Sequence, residues 1–561
     1  MFADALQVDD ESVVNADICI IGAGPAGLTL ALELNGKGLK VLLLEAGRFD
    51  EVPERNDLSQ LASGFQYGTV RQTANTQRFG GNASAWNLRT PRSPIRVRFA
   101  RFRDVDFESR SETGSEAWPL QAGDLDSAAR RASEHWNIAP DGFTPSEQHG
   151  VQYRLLDLGA DVSNAAFQFP VADTLTVKAR AILAASANVS VLLNAVATDL
   201  QFEGARVIGA RIVTRPGHGF RVQAGRFVVA AGAFNACKLL FASRMPNGHA
   251  PGNAQDVLGR YFMDHPAVHG GVFYPSSASL IGELRRYDIR PEDPAPAMVH
   301  LCVSDARVRK GGVLGLSSQL FPRDPSYQWG GEMDERAYAA SEGAMAIRTR
   351  MENGKLPRLT DIRNALAGTD LLANHVIQRA LMPWSSMRKG GWSQNARAVR
   401  QYSVFEVVQM AEQAPHAGNR ILPSPEKDSL GQNRVTLDWR WHEADQMKTI
   451  AAQEVFEAAV LASGIGRIDH ARPEGTLRVI SSSSYHHIGG LRMGRDPKTS
   501  VTDADCRVHG TENLYVAGAG LFPTGSYANP TYLISVLAVR LAGHLGRLAA
   551  AAPSRNESRT A

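Results

Sequence analysis

The chain has 561 residues, 43% hydrophobic and 21% charged, enough for a globular protein with a sizeable core and two or more domains. Against 60 Lys and Arg stand 57 Asp and Glu, and the net charge of +3 gives no case for a nucleic-acid or anionic-surface partner. The four cysteines, Cys19, Cys237, Cys302 and Cys506, are scattered without C-x-x-C or C-x-x-C-H, so metal clusters and covalent haem are unsupported.

The first 16 residues read as an acidic, loose leader without an export-signal pattern. No apolar run reaches about 18 residues, and the C-terminal helix expected over 533–548 is interrupted by Arg540, His544 and Arg547. No membrane span, reduced thiols and a cytoplasmic location are the expectation.

Asp17–Gly47 is the most ordered stretch. Ile18–Ile21 has the length and content of a buried strand, with Cys19 inside it as a small hydrophobe. Gly22, Gly24 and Gly27 follow at G-x-G-x-x-G spacing, then a helix over 28–34, a second strand at Val41–Leu44, and Glu45. Gly22 permits the turn, Gly24 lets the backbone approach a pyrophosphate, and Gly27 brings helix and strand together. The helix start offers N–H groups and a positive dipole end, and Glu45 can accept from ribose hydroxyls. This predicts dinucleotide binding, with FAD and NAD both open.

Phe79-Gly80-Gly81-Asn82 and the small residues up to Trp86 either let a flat ligand lie on the backbone or form a plain turn. Six arginines between Arg89 and Arg103 read as a solvated, irregular lid paired with Asp104, Asp106 and Glu108, in preference to an anion site. Helical spacing runs from Trp118 to Trp136 after Pro119. Val189–Leu193 and Val207–Val213 are strand-like. Arg226–Gly232 followed by a helix over 234–243 is a second strand–glycine–helix unit for the same parallel sheet. Beyond His265 the pattern changes to alternating strands such as Ala297–Val303, Val313–Leu320 and Arg434–Trp441. There are two helix-like segments within 334–382 and an amphipathic helix over 444–463, which fits an α+β domain. The tail from 551 to 561 is expected to be disordered.

The densest chemistry lies at 485–530: Tyr485-His486-His487-Ile488-Gly489-Gly490, then Leu514-Tyr515-Val516-Ala517-Gly518-Ala519-Gly520, then Tyr527-Ala528-Asn529-Pro530-Thr531 ahead of a helix. A polar loop before a helix start suits an oxygen-rich ligand. Histidine is suited to take a proton near neutral pH, and asparagine gives and accepts hydrogen bonds without changing charge. Together a His and an Asn could deprotonate and orient an alcohol.

With these residues in view, the chain resembles the glucose–methanol–choline (GMC) flavoprotein oxidoreductases over most of its length. The resemblance runs through the opening glycine loop with Glu45, Gly80-Gly81, Ala117-Trp118-Pro119-Leu120, Ala230-Ala231-Gly232-Ala233, Gly259-Arg260-Tyr261-Phe262 and the C-terminal block. It is most similar to the branch that acts on sugars, cyclic polyols and aminoglycoside sugars. The resemblance implies a discontinuous Rossmann-like α/β FAD-binding domain (10–120, 170–262, 480–550). It also implies an α+β substrate domain on an antiparallel sheet (263–479, with part of 121–169). It implies oxidation of a CH–OH group of a sugar, glycoside or cyclic polyol by hydride transfer to flavin N5, and it places the base at His486 and its partner at Asn529. His487 stands where many members have proline or a small residue. FAD contacts fall on Gly22, Gly24, Gly27, Glu45, Gly80, Gly81, Asn82, Val196, Gly232, Gly520 and Asn529. Ala85 stands where some members attach flavin to a histidine, so FAD is expected to be non-covalent.

Tyr485 and Tyr527 either line the substrate or pack, and His265 and His509 read as structural. The electron acceptor is left open between O2, a quinone and a redox partner. The rival expectations are a lyase of the same fold, a dehydrogenase subunit of a membrane electron-transfer complex, a non-sugar alcohol oxidase and a non-catalytic FAD scaffold.

Overall fold

In the computed structural model, Val13–Ile21 is the strand on which the first unit is built, and Ile18–Ile21 at its inner end are buried. The structure describes residues 1–50, 57–62, 76–84, 96–110, 113–145, 155–289, 295–323, 356–367, 392–394, 402–470 and 475–551, with a few positions between 343 and 351. Among the described residues an eight-stranded sheet runs Phe2–Asp4, Val189–Leu193, Val41–Leu44, Val13–Ile21, His218–Val229, Arg206–Arg215, Val196–Glu203, with Leu514–Val516 also beside His218–Val229. The pairings from Phe2–Asp4 to His218–Val229 are parallel, and the last two strands of the order form an antiparallel hairpin. His218–Val229 is long enough to serve both: its first half pairs with the hairpin and its second half, in parallel, with Leu514–Val516.

The consequence for function lies at the carboxyl edge. Ile21 runs into Gly22, Val229 into the turn at Gly232, and Val516 into Gly518. Three parallel strands therefore deliver three glycine turns to one place. The strand order also reverses there, the position where open α/β sheets bind ligands. Helix Pro25–Leu34 starts at this edge with Pro25 in its first turn, and it is buried along most of its length because helix Thr531–Ala550 packs over it. Thr531–Ala550 is long and apolar enough, by length and composition, to cross a membrane. In the structure Leu533, Leu537, Leu541 and Leu545 are buried in the core.

The second unit is an antiparallel sheet ordered Gly466–Asp469, Ala267–Pro275, Val404–Ala411, Leu316–Arg323, Ala297–Val303, Val162–Gln168. The central strand Val404–Ala411 is buried at every position, as a strand covered on both faces must be. One face, with Leu301, Leu320, Phe405 and Val407, packs on helix Glu443–Ala462 through Phe456 and Val460. Register places Phe167, Met298, His300, Cys302 and Met410 on the opposite face, and Phe167, Met298 and Cys302 join the core of the first unit. The first unit with this antiparallel partner is the expected fold class.

Several expectations change. The leader is not loose, because Phe2–Asp4 pairs in parallel with Val189–Leu193 and the amino group of Met1 donates to the carbonyls of Leu183 and Val189. Val162–Gln168 is a strand of the second sheet, hidden in sequence because only its last three residues and Val162 are buried. Of the segment 334–382, Leu359–Ala367 is a helix, while most of the remainder, like 552–561 and position 85, lies outside the described residues.

Candidate active site

A cavity lies across the carboxyl edge of the parallel sheet, walled by Gly22, Gly24, Glu45, Gly81, Asn82, Val196, Gly232, Gly518 and, at one end, Tyr485, His486 and His487. Gly24 and Gly232 face open space where a side chain would stand. Glu45 is aimed by backbone: its Oε2 accepts from Ala23 N–H at 2.9 Å and its Oε1 from Gly47 N–H at 2.8 Å. Gly80 N–H donates to Ala23 C=O at 2.9 Å, and a Cβ on Gly81 would come within 3.1 Å of Gly24 Cα. The Gly80-Gly81 segment is thus docked on the glycine loop itself, beyond a plain turn.

Gly27, Gly80 and Gly520 stand behind this wall. A Cβ on Gly27 would sit 1.9 Å from Gly22 O, one on Gly80 2.6 Å from Thr176 Oγ1, and one on Gly520 2.8 Å from Leu491 Cδ1. Gly518, at φ +138°, is the residue of that last turn that meets the cavity.

At the far end His486 and Asn529 meet, with Asn529 Nδ2 2.9 Å from His486 Nε2. His486 Nδ1 is 2.7 Å from His265 Nδ1, whose Nε2 is 3.0 Å from Gly525 O. Arg98 Nε lies 2.7 Å from Asn529 Oδ1. The donors are fixed from both ends of this row. An arginine can only donate, so Asn529 accepts through Oδ1 and offers Nδ2–H to His486 Nε2. A carbonyl can only accept, so His265 carries its proton on Nε2 and accepts at Nδ1 from His486 Nδ1–H. Both readings require neutral rings and leave the His486 Nε2 lone pair facing the amide. Burial holds the His486 pKa well below the ordinary histidine value, with His265 and Arg98 adding to the effect, and burial also lowers that of His265.

The family model for GMC oxidoreductase matches residues 415–538, and that for FAD dependent oxidoreductase matches residues 17–252. The C-terminal part of the chain thus matches the GMC oxidoreductases, and the part ahead of it the FAD dependent oxidoreductases. Its relatives include 2-methyl-1,2-propanediol dehydrogenase of Mycolicibacterium austroafricanum, 30% identical over 25% of this chain and 25% of that protein. Paromamine 6'-oxidase of Streptomyces fradiae is 31% identical over 23% of each, and the large subunit of fructose dehydrogenase of Gluconobacter japonicus is 24% identical over 57% of this chain and 47% of that one. The chain spans a quarter to about half of the length of the curated relatives it matches.

FAD is the cofactor of these families, and the cradle of this chain fits it. The open glycine positions and the helix start suit a pyrophosphate, and the Glu45 carboxylate, aimed by its two backbone bonds, stands in the cavity wall.

The loop carrying His486 is held by Asp264, which sequence reasoning passed over. Fully buried, this carboxylate accepts from the backbone N–H of His265 at 2.6 Å, Ser484 at 3.1 Å, Tyr485 at 3.1 Å and His486 at 3.0 Å. Those bonds hold Tyr485 in a left-handed turn at φ 57°. The Asn529 loop is held from the other side. Ser526, also left-handed at φ 56°, donates its hydroxyl to Asp106 at 2.8 Å and its N–H to Glu412 at 3.2 Å. Glu412 in turn takes two bonds from Arg110, at 3.0 and 2.5 Å.

His265, read as structural, stands with its ring against that of His486. In the arginine segment the expected pairing with Asp106 is made by Arg103, which lies 4.4 Å over the Tyr527 ring, but the segment is not wholly a solvated lid, because Arg98 reaches Asn529. A short run of alternation, Arg96-Val97-Arg98-Phe99, with Val97 and Phe99 buried, is the signal that this part is not free in solvent. Tyr485 lines the cofactor cavity and Tyr527 is buried beneath Arg103. His509 bonds Ser500 Oγ at 3.0 Å and lies apart from the cavity walls.

Proposed function

We propose that the chain oxidises a CH–OH group of a sugar, glycoside or cyclic polyol to a carbonyl, with FAD held non-covalently, His486 as base and Asn529 orienting the oxygen. The observation that carries this reading is the row Arg98–Asn529–His486–His265–Gly525, which presents one basic nitrogen beside one amide donor. A substrate hydroxyl entering between them donates its proton to His486 Nε2 and accepts from Asn529 Nδ2–H. When bound, FAD supplies the acceptor for the hydrogen leaving carbon as hydride. His486 then carries two N–H groups, and its Nδ1–H keeps an acceptor in the His265 Nδ1 lone pair, which favours the transient charge. Asp264 fixes the base's loop, so the geometry is in place before the substrate arrives. Paromamine 6'-oxidase and fructose dehydrogenase, by their names, support a sugar. The propanediol dehydrogenase makes a small diol the natural control.

The test is anaerobic mixing of holoenzyme with sugars, aminosugars, cyclitols and glycosides while flavin absorbance is followed. His486→Ala should retain FAD and slow flavin reduction by about 10²- to 10⁴-fold. An unchanged rate sinks the base assignment. Reduction by a simple diol but by no sugar or cyclitol sinks the substrate class.

A further inference from the structure

Two polar side chains lie at the sheet face turned toward the first unit, one on the 96–103 segment against it and one on the sheet itself, and the reaction above does not use either to bind substrate. Arg98 is one. Its Nε is taken by Asn529, its Nη2 rests against Met410 Sδ, and its guanidinium lies 5.2 Å from the centroid of the Phe167 ring. Other deep arginines have carboxylates: Arg103 has Asp106 at 3.1 Å and Arg110 has Glu412 at 2.5 Å. Among the described residues no carboxylate pairs with Arg98. A half-buried guanidinium whose partners are an amide oxygen and a thioether has no counter-charge beside it. Burial accordingly lowers its pKa to about 10.

His300 is the other. It is fully buried, stacked on Phe167 at 3.8 Å, and among the described residues neither ring nitrogen has a hydrogen-bond partner. Buried polar groups are normally satisfied, so an unmet imidazole stacked on the same ring that Arg98 flanks points to something that binds there.

We propose that the substrate carries an acidic group, a carboxylate, that pairs with Arg98, while His300 donates its ring N–H to a neighbouring oxygen of the same molecule. The planar guanidinium edge matches a planar carboxylate better than a tetrahedral group. This deepens the alcohol-oxidation reading and rests on it: the substrate class becomes a sugar acid or a carboxylated glycoside. The arrangement also couples recognition to reaction. The Arg98 charge disfavours protonated His486, so an anion on Arg98 offsets that charge and strengthens the base when the right molecule is present.

The probes are methoxyacetate and methoxyacetamide, matched in shape, differing in charge, and lacking any hydroxyl to oxidise. Calorimetric titration of the oxidised holoenzyme should show the acid binding about 10- to 100-fold tighter than the amide, the value of one charge-assisted hydrogen-bonded pair. Arg98→Gln should abolish that preference, and Arg98→Lys should keep part of it, with the flavin spectrum reporting that each variant holds its cofactor. No binding of the acid, equal binding of acid and amide by the wild type, or a preference that survives Arg98→Gln overturns the proposal. Tighter binding of methyl phosphate than of methoxyacetate overturns the carboxylate assignment. Because neither methoxy probe can be oxidised, the outcome is independent of the His486→Ala experiment.

Discussion

The cavity beside Gly24 is walled mainly by backbone at three strand ends, whereas the site at His486 is assembled from side chains on loops and strands far apart in sequence. In the first region selectivity comes from what is missing: side chains at Gly22, Gly24, Gly81 and Gly232 would occupy the space of the ligand or of the neighbouring chain. In the second it comes from a directed row of donors and acceptors, each pointed by the next. The backbone site is therefore sensitive to volume and nearly indifferent to pH, and the side-chain site is sensitive to charge and hydrogen-bond direction.

The largest expected effect breaks the first region by volume alone. In Gly27→Val a Cβ would stand 1.9 Å from Gly22 O, which belongs to the loop that must open toward the pyrophosphate. Neither helix nor strand can retreat, because both are buried. The variant should be recovered without flavin or not at all, as read by the visible spectrum after purification. A variant with full flavin content would show that the close helix–strand approach is not what shapes the cradle.

Next comes the support of the Asn529 loop. Glu412 is fully buried, and Arg110 holds its carboxyl well below the ordinary carboxylate range. Glu412→Ala leaves a buried guanidinium without its partner and the N–H of Ser526 and of Gly315 without their acceptor. A loss of about 3–5 kcal/mol in unfolding free energy is expected. Double replacement of Arg110 and Glu412 by apolar residues should lose less than the single change, and denaturant titration of the three proteins measures this. Equal losses would mean that the pair acts only through shape.

The contrast also explains what could be read from the sequence. Gly22, Gly24, Gly27 and Glu45 were legible because the cradle's first part is local: one strand, one turn, one helix, with periodicity that names each. At the third strand end the cavity is met by Gly518 where Gly520 was expected, since spacing does not say which glycine of a turn faces the cavity. His486 and Asn529 were placed by family resemblance and not by pattern. Arg98 and His265 were missed because their roles exist only through contacts 431 and 221 positions away in the chain. Asp264 sits in Gly259–Pro266, a segment whose composition marks a boundary and says nothing of a carboxylate turned inward against four N–H groups. The leader was misread for a related reason: three residues are too few to show period-two alternation, and only the partner strand Val189–Leu193 makes them a strand.

The smallest effect separates the two regions by pH. His265, His486 and His487 are buried, and burial lowers the pKa of all three, that of His487 to about 4. The sign follows from linkage. Above pH about 6.5 each is neutral in both folded and unfolded chains and contributes no pH dependence. Between that value and the lower folded one, the unfolded chain binds the proton and the folded chain does not, so stability falls as pH falls. Each histidine adds a slope of up to about 1.4 kcal/mol per pH unit in that window. His487 is the cleanest probe, since its ring packs edge-on to Phe234 at 4.6 Å. Denaturant titration of the holoenzyme at pH 7.5 and pH 5.5 should show a smaller acid loss in His487→Leu than in the wild type, by up to about one such slope. An identical loss would mean that His487 is protonated inside the folded protein, and that the histidine end of the cavity is as polar as bulk water.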